Sequence, residues 1–192
     1  MSKFQYIAFH KPYGVLSQFT REHPDHVTLA DYLKDIDKDI YPVGRLDKDS
    51  EGLLILTNDK SLTEYLLNSR NRHPRTYWAQ VDGAITPDAI EQLKRGVVIR
   101  PRKITYTTLP CEVKKIKSPS IPDRDPPIRY RKEIPTSWIK MTLVEGKYRQ
   151  VRKMCAAVGF PVLRLLRVKI GNLKLEGLDP GDYRMISKED II

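Results

Sequence analysis

The residues best suited to chemistry lie in one glycine-bounded stretch, residues 44–52 (GRLDKDSEG). This stretch places three carboxylates and one arginine directly before the aliphatic run Leu53–Leu56, which has the composition of a buried strand. A carboxylate held on a rigid lip beside a buried strand is a suitable place for catalysis. Asp47 is the leading candidate because it lies between the apolar Leu46 and this strand. The alternative is that Asp47 is a solvated loop aspartate, which describes most aspartates.

The same stretch allows a second chemistry, in which two carboxylates work as a pair. Asp47 and Glu51 together would fit a glycoside hydrolase, whose reaction uses two acidic side chains. The spacing of residues in a loop does not fix the distance between two carboxyl groups, so this pattern is weak. Asp49 and Glu51 could equally face solvent or cap a helix.

An apolar stripe at helical spacing predicts a helix from about residue 148 to residue 158. The members of the stripe are Val151, Met154, Cys155 and Val158. Arg149 lies one turn from both Arg152 and Lys153, so these three side chains share a face beside the stripe. We interpret Arg149 and Lys153 as a phosphate-contacting or solvated face. Arg152 borders the stripe, where it could pair with a desolvated carboxylate.

Tyr77 is a candidate for contact with a nucleobase. It lies in a predicted strand at residues 76–81 and follows Arg72 and Arg75 closely in the sequence. An aromatic ring on a strand edge beside arginines can stack on a base. A generic core tyrosine is the alternative, since the chain has ten tyrosines.

The charge of the chain indicates an anionic partner. Its 192 residues include 34 Lys and Arg against 24 Asp and Glu, a net charge of +10. Residues 21–64 hold 11 acidic and 6 basic side chains, whereas residues 140–169 hold 8 basic side chains and one acidic. Residues 94–103 and 124–132 are also basic. This asymmetry favours an oriented face for nucleic acid over a merely soluble basic protein.

The sequence disfavours several other classes of protein. Cys111 and Cys155 are far apart and lack ligand spacing, so we expect no disulfide framework and no metal site. Cys155 falls in the apolar stripe and is predicted to be a buried free thiol. No apolar run approaches the ~18 residues of a membrane span. The first residues lack the apolar core of a signal peptide, so we expect a cytoplasmic protein.

Proline, glycine and capping residues divide the chain into short elements. Strands are predicted at residues 4–9, 53–56, 76–81, 136–144, 162–170, 173–175 and 182–186, with two more inside 97–113 around a basic turn at 101–103. Helices are predicted after the capping patterns Thr28/Asp31 and Ser61/Glu64, between Thr86 and Gly96, and at 148–158. Residues 118–135 are predicted to be a proline-rich surface loop. Strands outnumber helices, so we predict an α+β fold with a largely antiparallel sheet.

Four segments of the chain resemble, in the same order, the motifs of the ribosomal small-subunit-A type pseudouridine synthases. They are KPYG at 11–14, GRLDKDSEGLL at 44–54, RTYWAQV at 75–81 and EGKYRQVRKM at 145–154. The resemblance spans nearly the whole chain, and the motif around Asp47 is specific. The loop from Pro126 to Trp138 is most similar to members that act on 23S rRNA.

This resemblance implies a fold and a set of roles. The fold would be two α+β lobes around a largely antiparallel central sheet, with the active cleft between them. Residues 1–192 would form one catalytic domain, because the KPYG motif comes too early for a separate N-terminal RNA-binding domain. The implied catalytic residues are Asp47, Tyr77, which stacks on the target base, and Arg152, which pairs with Asp47. The implied substrate-binding residues are Arg45, which holds the RNA open, Val151, which packs beneath the uracil, Lys11, Arg149 and Lys153.

The implied reaction is isomerisation of uridine to pseudouridine in ribosomal RNA, most closely 23S rRNA, by a monomer without a cofactor. The target base must leave its stack before it reacts. Asp47 could stabilise positive charge on the ribose, attack C1′, or remove a proton from C2′, and the sequence leaves these routes open. A non-catalytic rRNA-binding protein and a glycoside hydrolase are the rival interpretations.

Overall fold

The computed structural model of the chain describes residues 4–128 and 133–192, and these contain eleven strands and three α-helices. In chain order they are β1 Tyr6–Lys11, β2 Tyr41–Pro42, β3 Glu51–Thr57, α1 Lys60–Leu67, β4 Arg75–Asp82, α2 Pro87–Arg95, β5 Val98–Ile99, β6 Tyr106–Thr107, β7 Glu112–Ile116, β8 Thr136–Leu143, α3 Gln150–Ala157, β9 Val162–Ile170, β10 Leu173–Lys174 and β11 Tyr183–Ile186. The chain divides into two compact units, residues 1–73 with 167–192 and residues 74–166. The expectation that residues 1–192 are one domain stays a prediction.

The first unit is built around β3, which is buried along its whole length. β3 pairs with β1 and with β2, and β1 pairs with β11, in every case antiparallel. Successive side chains of a strand point to opposite faces of the sheet. Leu53 and Ile55 accordingly join one apolar cluster, and Leu54 and Leu56 join another. The Asp47 stretch therefore leads into a strand that is covered on both faces.

The second unit contains a long antiparallel ladder in which β8 lies between β4 and β7. Tyr77 in β4 is opposite Met141 in β8. A single apolar cluster forms the core of this unit and includes buried residues of β4, α2, β8 and α3. Cys155 lies in this core as a buried free thiol, as predicted, and burial raises its pKa to about 12.

Most predicted elements are present with small shifts in their ends. Helix α2 begins after Thr86, whose hydroxyl accepts a hydrogen bond from the Ala89 N–H at 3.2 Å, and it ends at Gly96. The two strands around the basic turn and the closing strands are also found. The predicted loop 118–135 has no helix or strand in its described part, and its residues 129–132 lie outside the described residues.

Two helix predictions need correction. The Thr28/Asp31 capping box forms, but only a 3₁₀ turn at Leu29–Asp31 follows it. The residues beyond this turn, 34–39, are nearly all charged, so they offer too little apolar surface to hold a longer helix against the core.

Helix α1 is capped by Asp59 and not by Ser61 as predicted. The Asp59 carboxylate accepts hydrogen bonds from the Leu62 N–H at 3.0 Å and the Ser61 hydroxyl at 2.6 Å. Burial alone would raise the pKa of Asp59, but these hydrogen bonds, a hydrogen bond from the Tyr6 hydroxyl and the charge of Lys188 together outweigh it and lower the pKa to about 2.

Substitution of Gly52, at the start of β3, tests how tightly this strand is packed. Its φ is +103°, and a Cβ there would lie 2.3 Å from the Arg167 carbonyl oxygen. We expect Gly52→Ala to lower the free energy of unfolding by ~3 kcal/mol or more, because a strained backbone angle and an overlap with main chain act together. Chemical denaturation measures this change.

Gly159→Ala is the matched control. Gly159 also has a positive φ, +88°, but a Cβ there would meet nothing within 4 Å. The control should lose only the ~1–2 kcal/mol of a left-handed backbone at a non-glycine residue. Equal losses for the two variants would contradict the close packing of Gly52.

Candidate active site

The turn that carries Asp47 is fixed by hydrogen bonds from its own unit. The Ser17 hydroxyl donates to the Leu46 carbonyl at 2.9 Å and accepts from the Leu46 N–H at 3.1 Å. The Gly14 N–H donates to the Lys48 carbonyl at 2.8 Å, and the Ser50 N–H donates to the Asp47 carbonyl at 3.0 Å. Asp47 itself is half-buried. The backbone on either side of its carboxylate is therefore held in place.

Charged side chains are buried beside this turn. Lys11, Glu51 and Arg167 are 0%, 3% and 5% exposed. The Lys11 ammonium donates to the carbonyls of Pro12 at 3.0 Å and Val15 at 2.7 Å. The Arg167 Nε donates to the Leu53 carbonyl at 2.8 Å. We call these three side chains the buried charge cluster.

The buried charge cluster is electrically coupled to the acidic turn. Burial lowers the pKa of Lys11 from 10.5 to about 7, because the charged form loses its hydration. The negative charges of Glu51, Asp49 and Asp47 oppose this shift, in that order of size. Lys11 therefore interacts electrostatically with every carboxylate of the turn, including Asp47.

The second unit gathers an aromatic ring and an apolar side chain at its core. Tyr77 is half-buried and packs against the apolar cluster that contains Val151, which is 5% exposed. The tyrosine side chain thus contacts the core while part of it stays accessible, and stacking on a base requires such an accessible ring.

Helix α3 carries the predicted basic residues. Arg149, directly before the helix, has a left-handed backbone with φ 53°. Arg152 is half-buried, and its Nη1 donates to the Val162 carbonyl at 3.3 Å. Lys153 is also half-buried. The predicted helix and its boundary position for Arg152 are confirmed, with the helix starting at Gln150.

The predicted site residues fall into two groups. Arg45, which is exposed, and Asp47 belong to the first unit with Lys11, and the others belong to the second unit. The pairing of Arg152 with Asp47 stays a prediction. The complete burial of Lys11 argues against its predicted contact with RNA, because its ammonium is directed to backbone carbonyls.

Two residues that support the Asp47 turn and strand β3 were not predicted from the sequence. Arg167 is part of a basic segment in the sequence, but it directly follows the apolar pair Leu165–Leu166 in strand β9, which favours a buried position. Ser17 carries no sequence signal, because a serine in a loop is ordinary and its contact with Leu46 depends on the fold.

Neither a metal site nor a membrane segment is found in the part of the chain that the structure describes. Its His, Cys, Asp and Glu side chains form no group of three or more that could hold a metal ion. Within the same residues, each helix is too short or too polar to cross a membrane.

Comparisons with known proteins identify the family of this chain. Residues 5–157 match the family described as RNA pseudouridylate synthase. The chain is 46% identical over 181 residues to ribosomal large subunit pseudouridine synthase E of Vibrio vulnificus (strain CMCP6), covering 94% of this chain and 74% of that protein. It is 44% identical over 176 residues to the protein of the same name from Xanthomonas axonopodis pv. citri (strain 306), covering 91% of this chain and 90% of that protein.

A solved structure supports the fold as well. A crystal structure of a pseudouridylate synthase superposes with a TM-score of 0.79 at 24% identity, covering 99% of this chain and 73% of that one. The chain therefore belongs to the RNA pseudouridylate synthase family. It is an RNA pseudouridine synthase, an isomerase that converts uridine to pseudouridine, and the predicted α+β fold with a mostly antiparallel sheet is confirmed.

Family membership removes the two rival interpretations. A non-catalytic RNA-binding protein does not account for a match that includes the Asp47 turn. A glycoside hydrolase would need Glu51 as a second working carboxylate, but Glu51 is buried beside Lys11.

The lowered pKa of Lys11 predicts how the free energy of unfolding depends on pH. Between pH 7 and pH 10 the unfolded chain keeps a proton on Lys11 that the folded chain releases, so stability attributable to this residue rises with pH. We expect the unfolding free energy of the wild type to gain on that of Lys11→Met by about 1 kcal/mol per pH unit in this window.

Denaturant unfolding of both proteins at several pH values measures this gap. Lys60→Met, which removes an exposed lysine, corrects for the general loss of one charge. A gap between the wild type and Lys11→Met that stays constant from pH 7 to pH 10 would contradict a neutral-pH titration of Lys11.

Proposed function

We propose that this enzyme isomerises a uridine of large-subunit ribosomal RNA, that is 23S rRNA, as a monomeric cytoplasmic protein. The names of the two relatives described above support this substrate. The basic composition of residues 140–169 and 94–103 supports a polyanionic partner. The observation that carries the proposal is the half-buried Asp47, held on a hydrogen-bonded turn beside the buried charge cluster.

The RNA would first have to release the target nucleotide from its stack, at a cost of a few kcal/mol. Stacking of the freed uracil on Tyr77 would return roughly 1–3 kcal/mol. Val151 would pack beneath the uracil, and the exposed Arg45 would help to hold the RNA open. Arg149 and Lys153 would contact phosphates, which ties binding to salt concentration.

Asp47 would be the essential carboxylate. Cleavage of the bond between N1 and C1′ develops positive charge on the ribose, which an ionised carboxylate stabilises. Asp47 either provides this field alone, attacks C1′, or takes the proton from C2′, and each route needs its carboxylate ionised. Arg152 would keep it so by pairing with it.

Lys11 would support this carboxylate without touching RNA. Its buried ammonium contacts the carbonyls of Pro12 and Val15 and interacts with the carboxylates of the turn. A lysine fixed behind the turn would orient the acidic side chains before the substrate arrives. This role replaces the predicted substrate contact of Lys11.

Asp47→Asn tests the central assignment. The amide keeps the shape of the side chain but cannot stabilise a cation or act as a nucleophile, so we expect turnover to fall by about a thousandfold or more. Release of tritium from 23S rRNA transcript that contains 5-tritiated uridine measures turnover. Binding of the same RNA should change by less than about threefold, since the phosphate contacts remain.

Asp49→Asn is the matched control, because it removes a carboxylate from the same half-buried turn. It should keep activity within about tenfold of the wild type, as expected for a residue outside the reacting atoms. Near-normal tritium release by Asp47→Asn, or equal loss in both variants, would contradict the assignment of Asp47.

Tyr77 is tested by two substitutions. Tyr77→Phe keeps the ring and loses only the hydroxyl, whereas Tyr77→Ala removes the ring. If the ring stacks on the base, Tyr77→Ala should lose about 5- to 150-fold in kcat/KM, the equivalent of 1–3 kcal/mol. Tyr77→Phe should stay much closer to the wild type, and identical losses in the two variants would exclude stacking as its role.

A further inference from the structure

A small hairpin in the second unit presents a basic tip. Strands β5 and β6 pair through Val98 with Thr107 and Ile99 with Tyr106. Ile99 and Tyr106 face the apolar core, so the hairpin is anchored on that side. Val98 is 58% exposed on the other side, and Ile104 at the tip is 70% exposed. The hairpin therefore offers apolar surface to solvent that the core does not use.

The backbone at the tip is unusual for the residues it contains. Arg102 and Lys103 have φ values of 50° and 71° in succession, and neither is glycine. A left-handed backbone at such a residue costs ~1–3 kcal/mol and is found most often at binding and catalytic sites. Both side chains are exposed, as is Arg100 directly before the turn.

The tip lies against the loop that leads into helix α3. The Arg102 guanidinium carbon is 5.3 Å from the centre of the Tyr148 ring, and the Lys147 ammonium is 4.5 Å from the centre of the Tyr106 ring. Both distances are within the range of cation–π contacts. Tyr148 remains 49% exposed.

Glu145 joins the loop to the hairpin. Its carboxylate accepts hydrogen bonds from the Tyr106 hydroxyl, the Leu109 N–H at 2.8 Å and the Gln150 Nε2 at 2.6 Å. The hydrogen bond to Glu145, together with burial, raises the pKa of Tyr106 to about 12. The acid is thus engaged by protein donors, and the exposed basic side chains keep their charge for another partner.

We propose that Arg102, Lys103, Lys147 and Tyr148 form a subsite for an unpaired nucleotide of the RNA substrate. This inference rests on the proposed function, since it assigns a second contact to the same substrate. The Tyr148 ring with the Arg102 guanidinium would stack on the base, and Lys103 and Lys147 would bind its phosphates. A paired nucleotide keeps its base faces covered, so the subsite favours single strands over duplex.

Binding of labelled RNA tests the subsite directly. Fluorescence anisotropy is measured with a single-stranded 12-mer and with a duplex of the same length, for the wild type, Arg102→Ala and Tyr148→Ala. Each variant should weaken single-strand binding about fivefold or more, because the loss of one stacking partner has at least this effect. Duplex binding should change less. Tyr148→Trp, which keeps a stacking ring, should bind the single strand close to the wild type.

Lys115→Ala is the control for charge alone, since Lys115 is an exposed lysine of β7 in the same unit. It should change single-strand binding by less than about twofold, as for one peripheral charge at physiological salt. Equal weakening by Lys115→Ala and Arg102→Ala would overturn the subsite in favour of diffuse charge. Unchanged binding by Arg102→Ala and Tyr148→Ala would overturn it as well.

The failure of this inference is distinguishable from failure of the proposed function. Tritium release from 23S rRNA by the wild type tests the proposed function whether or not the hairpin binds RNA. An active wild type whose hairpin variants bind single strands normally would remove the subsite alone. Variants that bind RNA normally but lose activity only on ribosomal assembly particles would indicate a protein partner for the hairpin and would also overturn the subsite.

Discussion

A lysine buried behind an acidic turn is the constraint on which the rest of the first unit depends. Lys11 has no exposed surface, and its neighbours include the buried Glu51 and Arg167. Burying ionised groups is costly unless they are paired and hydrogen-bonded. Two backbone carbonyls and the carboxylates of the turn offset part of this cost for Lys11, and the remainder lowers the pKa of Lys11 to about 7. The turn that bears Asp47 cannot move far without leaving these charges uncompensated.

The sheet explains why this arrangement can exist. Lys11 is the last residue of β1 and lies opposite Gly52 at the start of β3. A side chain on Gly52 would overlap the backbone of Arg167 in β9. The absence of a Cβ therefore allows β3 and β9 to approach each other at this point. The Gly52 end of the Asp47 stretch is therefore fixed by strand packing, and its middle is fixed by Ser17 and Gly14. Such preorganisation is what electrostatic catalysis requires.

The two units divide the proposed work. The first supplies a carboxylate on a rigid turn, and the second supplies an aromatic ring, a half-buried arginine and an exposed basic hairpin. The acidic and basic halves of the sequence follow this division, since residues 21–64 belong to the first unit and residues 94–103 to the second.

Local signals in the sequence predicted the elements well where a single physical cause dominates. The run Leu53–Leu56 is aliphatic enough to be a buried strand, and Thr86 with Pro87 defines the start of α2. Prediction failed where the fold decides between equal local options, as when Asp59 caps α1 in place of Ser61. The burial of Lys11 was not predicted either, because a lysine beside a proline looks solvated until β1 is placed in its sheet.

The candidate site was predictable to a similar degree. Asp47 could be selected from its setting and its motif, but the support from Lys11, Arg167 and Ser17 arises from contacts between segments that are distant in sequence.

The central claim is that Asp47 of this chain makes pseudouridine in 23S rRNA. The most direct measurement is a map of pseudouridines in 23S rRNA from cells that lack the gene and from the same cells supplied with either the wild type or Asp47→Asn. We expect at least one modified uridine to be lost on deletion, restored by the wild type and not restored by Asp47→Asn. An unchanged map after deletion, or full restoration by Asp47→Asn, would contradict the claim.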